Sequence, residues 1–176
     1  EAEALLCLCL DKGMKISIHR PSMVVGSSDD GRIISHQVFF HIVRLLAGFY
    51  TKGIQPNLSS FKLDTIPVDF VAKAIVASVN NQDSVGKFFN ICSGKTLAPT
   101  LGEIQSLAQQ AFVRYNVAIP KLHQFPIFLF SAVLGGYKMI AGLKYKKRLE
   151  ILQQLLAYAQ YVQPFENTKS LEIYKK

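Results

Sequence analysis

The sequence predicts an α/β fold, with a few short strands followed by helices and a longer, mainly helical remainder. Three observations carry this. Lys15-Ile-Ser-Ile-His19 alternates and runs into Arg20-Pro21, a strand leaving its sheet at a proline. Phe61 to Ile66 reads as a second short strand, and Pro67 then opens an amphipathic helix reaching about Val79. Gly86-Lys-Phe-Phe-Asn-Ile91 is a third strand, broken at Ser93-Gly94.

The other elements follow in order. Residues 1–12 place Ala4, Leu5 and Leu8, with Leu6 and Leu10 nearby, at helical spacing, and Gly13 ends that helix. Its first turn lacks a Ser, Thr, Asp or Asn cap and an initiating Met, which reads as a helix continuing from upstream. Ser27-Ser-Asp-Asp-Gly31 is a loop by composition. Ser35 to Phe49 is a helix with Val38, Phe39, Ile42, Val43, Leu45 and Leu46 on its apolar face, loosened at its end by Gly48 and Gly53. Residues 57–60 form a loop. Asp69 sits favourably near the positive end of the helix that Pro67 opens. A turn at Asn80 to Ser84 precedes the third strand. Thr100 caps the next helix, with Glu103 completing a capping box and Leu101, Ile104, Leu107, Ala108 and Ala111 facing the core. Phe125 to Leu143 is almost wholly apolar around Gly135-Gly136. A Leu- and Gln-rich helix runs from Lys146 to Tyr161, and Pro164-Phe165 stops it.

Composition narrows the function. At 176 residues, 49% of them hydrophobic, the chain can bury one good core and is not disordered. The net charge of +8 attracts phosphorylated cofactors, anionic lipid, acidic proteins or nucleic acid. No nucleic-acid motif accompanies it, so nucleic acid is not an expected partner. Three cysteines (Cys7, Cys9 and Cys92) without paired spacing argue against a disulfide framework or a zinc site and suit the cytoplasm. His19, His36, His41 and His123 show no metal-binding spacing, so no metal is expected. Glu1, Glu3, Asp11 and Lys12 do not match a basic start followed by an apolar run, so no signal peptide is expected in these residues.

The order of these motifs resembles the substrate-side, carboxyl-terminal part of an extended short-chain dehydrogenase/reductase. The residues that carry the likeness are Arg20-Pro-Ser-Met-Val-Val-Gly26, Leu63-Asp-Thr-Ile-Pro-Val-Asp-Phe-Val-Ala-Lys-Ala-Ile75 and Gly86-Lys-Phe-Phe-Asn90. Within those enzymes the chain is most similar to the thioester reductase and fatty acyl-CoA reductase (male sterility) branch. Ser28 and Gly31 after Gly26 resemble its Gly-x-Ser-x-Thr-Gly loop. Arg44-Leu-Leu-Ala-Gly48, with Gly53 and Pro56, resembles its helix ending in Gly-x-x-Pro, and Phe165-Glu-Asn167 resembles its tail. Asp30 stands where that branch often has Thr, and Glu166 where it has Asp.

The resemblance implies a division of the chain. Residues 1–30 would end a Rossmann-like part, and 31–176 would form a mostly helical substrate-binding subdomain. It implies NADPH-dependent reduction of an acyl thioester, carried by an acyl carrier protein or coenzyme A, to aldehyde or alcohol. The Gly-rich phosphate turn and the Tyr-x-x-x-Lys of the family are not in these residues, so NADPH would be held mainly elsewhere and the 176 residues alone are expected to be inactive. Pro21, Ser22, Met23 and Val24 would line the cofactor. Ser27, Ser28, Gly31 and His36 would border the thioester.

Phe125, Phe128 and Tyr137 belong to an apolar run with three open readings: core, a channel for the acyl or phosphopantetheine arm, or contact with a membrane surface. Lys138, Lys144, Lys146, Lys147 and Arg148 would dock an acidic carrier or the phosphates of coenzyme A, the alternative being a solvated helix face. For Arg20, pairing with a carboxylate such as Asp69 is favoured over reaching a phosphate. Two other functions stay open: a different extended reductase, such as a nucleotide-sugar epimerase or steroid dehydrogenase, and a non-catalytic module that binds a carrier protein.

Overall fold

The computed structural model describes residues 2–33, 38–130 and 167–168. They fall into two compact units. The first is built from the segments 1–35, 64–98 and 164–176, the second from 36–63 and 99–163.

The first unit begins with α1 (Ala2–Asp11), which Gly13 ends with a positive φ of 85°. The chain then extends through β1 (Ile18–Pro21) and β2 (Met23–Val25). β4 (Thr65–Pro67) leads directly into α3 (Val68–Val79), and a short 3-10 turn (Gln82–Ser84) precedes β5 (Phe88–Ile91). β5 pairs parallel with β1, and β4 pairs parallel with β2. Parallel neighbours need a crossover; both pairs join strands far apart in the chain, and α3 lies between β4 and β5 and packs on β4 and β2. Ile66, Ala74 and Ile91 form the buried centre, with Val24 and Val71 against them. The short helix α4 (Gly94–Leu97) follows β5.

The second unit contains α2 (Val38–Leu46), β3 (Ile54–Pro56), α5 (Leu101–Arg114) and β6 (His123–Phe125). β3 and β6 pair in parallel. α2 packs on α5, where Gln105 Nε2 donates to the Leu46 carbonyl at 2.7 Å and Phe49 meets Phe112 edge-on. Gly48 and Gly53 both have positive φ, and a Cβ on Gly53 would collide with the Lys121 backbone. The Gly residues that loosen the end of α2 therefore also let the chain pass close beneath β6. The capping box stands as expected: Thr100 accepts from the Glu103 amide at 3.2 Å and Glu103 accepts from the Thr100 amide at 2.7 Å.

Several expectations are corrected. The second strand covers Thr65–Pro67 instead of starting at Phe61, because Lys62 bridges to Thr100 and the Leu63 amide donates to the Pro99 carbonyl. Those pairings keep residues 61–63 in the second unit. Pro67 caps α3 and ends β4, one position before the first helical residue. The first strand begins at Ile18 and continues past Pro21 as β2, so residues 23–25 are a strand as well as an exit. β3 and β6 were not foreseen; each is three residues long and β6 is exposed, too short for alternation to show.

Candidate functional site

The register of the first unit builds the site. Val25 and Pro67 are partners at the carboxyl ends of β2 and β4, so the loop after β2 and the first turn of α3 emerge side by side. Pro21 and Ile91 are partners at the carboxyl ends of β1 and β5, so Ser22 emerges beside the turn at Ser93. The carboxyl edge of parallel strands is where ligands bind in open α/β sheets.

The loop after β2 is closed on itself. Ser27 N donates to the Arg32 carbonyl at 3.0 Å and Gly31 N to the Ser27 carbonyl at 3.0 Å. It folds back over Gly26, where a Cβ would lie 2.6 Å from the Gly31 oxygen and 2.8 Å from the Ile33 side chain. Gly31 takes the left-handed turn, with φ 71°. Asp69 ties the loop to α3. One carboxylate oxygen accepts from the Ser28 amide and the other from the Ser28 hydroxyl, each at 2.8 Å. These bonds, the amide first, hold the Asp69 carboxyl below its ordinary 3.8.

Arg20 does not reach Asp69, whose oxygens are taken by Ser28. It makes a two-pronged ion pair with Glu3 of α1, at 2.7 and 2.5 Å, and lies over the Phe88 ring. The hydrogen bond from Arg20 holds the Glu3 carboxyl below its usual range. Both partners are about half exposed (46% and 48%), so the pair orients more than it stabilises.

Of the cofactor-wall residues, Ser22 and Met23 have their amides engaged, Ser22 N on the Ile91 carbonyl at 2.9 Å and Met23 N on the Asp64 carbonyl at 3.3 Å. Met23 and Val24 lie in β2 and Pro21 closes β1. The Ser22 hydroxyl is buried and has no partner among the described residues. Beside it the chain leaves β5 through a heavily held turn. Asp64 accepts from the Ser93 and Gly94 amides at 2.9 and 3.0 Å, and the Ser93 hydroxyl donates to the Thr65 carbonyl at 2.6 Å. Asn167 donates to the Cys92 carbonyl at 3.0 Å and packs where Gly94 has no side chain. Burial pushes the Cys92 thiol up, which makes it a poor nucleophile.

Asp64 and Asn167 went unread as site residues in the sequence. The Ser93-Gly94 break was the signal that two amides there need an acceptor. Ser27, Ser28 and Gly31 are brought together. Phe125 closes β6 and Phe128 is 67% exposed, while Phe130 is buried at 6%. His36, Tyr137, Lys138, Lys144, Lys146, Lys147 and Arg148 lie outside the described residues. Among the described residues there is no metal-binding cluster, and no helix is long and apolar enough to cross a membrane.

Parallel strand pairs, a helix between them and a held loop at their carboxyl edge define an α/β, Rossmann-like fold class. Residues 1–75 match the male sterility protein family, which is the thioester reductase and fatty acyl-CoA reductase branch that the sequence resembles. The nonribosomal peptide synthetase FrzA of a Cladobotryum species is 31% identical over 90 residues, 51% of this chain and 8% of that protein. The aldehyde reductase lnbA of Aspergillus flavus is 30% identical over 90 residues, again 51% of this chain and 9% of the relative. The chain thus spans less than a tenth of these relatives. Among solved structures, the terminal R domain from the myxalamid PKS-NRPS biosynthetic pathway shares the fold, with a TM-score of 0.68 and 21% identity over 99% of this chain and 41% of that one.

Proposed function

We propose that these residues form the substrate side of an NADPH-dependent acyl-thioester reductase. One observation carries the reading: a self-closed loop stands at the carboxyl edge of β2, pinned to α3, inside the segment that matches the male sterility family. Ser27, Ser28 and Gly31 border the acyl thioester there. The relatives' names support the same chemistry, since one is an aldehyde reductase and an aldehyde is the first product of hydride transfer to a thioester.

Ser22, Met23 and Val24, with Pro21, form the wall beside the nicotinamide. The unpartnered Ser22 hydroxyl fits a carboxamide, which offers both a donor and an acceptor. NADPH supplies the hydride when bound, and the work of these residues is to orient the substrate carbonyl against it. The apolar run from Phe125 through Tyr137 takes the acyl or phosphopantetheine arm. The basic residues Lys138, Lys144, Lys146, Lys147 and Arg148 steer an acidic carrier protein or coenzyme A to it.

The test uses the whole protein that carries these residues, supplied with NADPH and an acyl thioester on coenzyme A or on a carrier protein. NADPH oxidation that depends on the thioester, with release of free thiol, is the expected result. Oxidation driven only by a non-thioester carbonyl would replace the reading with that of another extended reductase. No oxidation with either carrier would overturn it.

A further inference from the structure

We propose that Asp69 is the positioning residue of the substrate loop, holding residues 26–33 closed over the carboxyl edge of β2 through Ser28. This rests on the reading of that loop as the thioester border. The geometry is specific. Both carboxylate oxygens are used, and both bonds go to one residue, an amide and a hydroxyl 41 positions away in sequence. Asp69 stands in the first turn of α3, directly after the strand that partners β2, so the latch reads the position of the sheet edge itself. Its side chain is 22% exposed, enclosed enough for the bonds to matter. Lys73, one turn on, lies 3.8 Å from the carboxylate.

Gly26 is the second half of the device. The loop can lie back only because that position has no side chain. Two residues on different segments therefore impose one loop shape, Asp69 by pulling on Ser28 and Gly26 by leaving room for Gly31 and Ile33. A loop held in advance loses less freedom when substrate arrives, and so binds it better without altering the chemical step.

The test pairs a readout of the loop with a readout of substrate in the whole protein. Amide hydrogen exchange at Ser28 and acyl-thioester kinetics are measured for Asp69→Ala, Asp69→Asn, Ser28→Ala and Gly26→Ala. Asp69→Ala removes both hydrogen bonds to Ser28 and is expected to expose the Ser28 amide to exchange and to raise KM for the thioester at least roughly tenfold, with kcat within about twofold. Asp69→Asn, which keeps an acceptor for the amide, falls between. Gly26→Ala reproduces the KM effect with the carboxylate intact, and so answers for the latch even if Asp69→Ala does not fold. A Ser28 amide as protected in Asp69→Ala as in the unaltered protein overturns the proposal, and so does lost protection with KM unchanged. If the unaltered protein turns over no thioester, the reading of the reaction fails, and the exchange measurement still decides the latch.

Discussion

His19 shows how a single side chain in β1 carries a consequence for the whole first unit. It stacks on Phe89 with ring centroids 5.4 Å apart, and its Nε2 lies 2.9 Å from the Ser78 hydroxyl and 3.1 Å from that of Ser17. Ser78 gives its own proton to the Ile75 carbonyl, so His19 Nε2 is the donor to Ser78. That leaves Nδ1 bare, buried and without an acceptor for a second proton. Burial accordingly holds the imidazole below its ordinary 6.5. Because the folded value is depressed, the unfolded chain takes up the proton first. The contribution is intact above the ordinary value and is lost as pH falls through the folded one. Denaturant midpoints measured from about pH 7.5 to about pH 5.5 should therefore fall, and His19→Gln should flatten that dependence. Ionised Asp69 behaves similarly at lower pH. Its carboxyl is held below 3.8, so the Ser28 latch persists until pH falls through the depressed value.

Among the elements, α5 and α3 were the most legible in sequence, and for local reasons. Thr100 and Glu103 cap one helix reciprocally, and Pro67 with Asp69 marks the start of the other. Thr100→Ala should cost about 1 kcal/mol of stability, read as a lowered denaturant midpoint with an unchanged slope. The three-residue strands were less legible. β2, β3 and β6 exist through pairing with partners far along the chain, and their few residues hold no periodicity that would betray them. The strand expected from Phe61 begins later, at Thr65, for a tertiary reason too. Phe61 to Ile66 alternates well enough, but the bridge from Lys62 to Thr100 claims its first half for another neighbour. α1 keeps the helical spacing read from its leucines, yet none of its residues is buried among the described ones, with Leu5 64% and Leu8 58% exposed.

For the whole molecule, the packing at the centre of the first unit sets the price of any change. Ile91 is fully buried against Ile66 and Ala74, at the carboxyl end of β5 where the site turn begins. Ile91→Ala should cost about 2–5 kcal/mol, and Ala74→Leu about 1–3 kcal/mol by overpacking beneath α3. Both are measurable as shifts in unfolding midpoint. On the proposed reading of Lys144, Lys146, Lys147 and Arg148 as a carrier-docking patch, reversing their charge together should slow association with an acidic carrier protein while leaving a short uncharged thioester unaffected, and high salt should erase the difference.

The chain by itself determined the alternation of strand and helix, the loop after Gly26 and the capped helices, because each rests on residues within a turn or two of one another. Those local patterns also carry its resemblance to the extended reductases, and residues 1–75 match the male sterility protein family. Only the tertiary structure decided that Asp69 belongs to Ser28 and Arg20 to Glu3, and that Asp64 and Asn167 hold the turn after β5. Such pairings join residues that the register of parallel strands brings together across tens of positions. A carboxylate or an amide looks the same in sequence whichever distant partner it will meet.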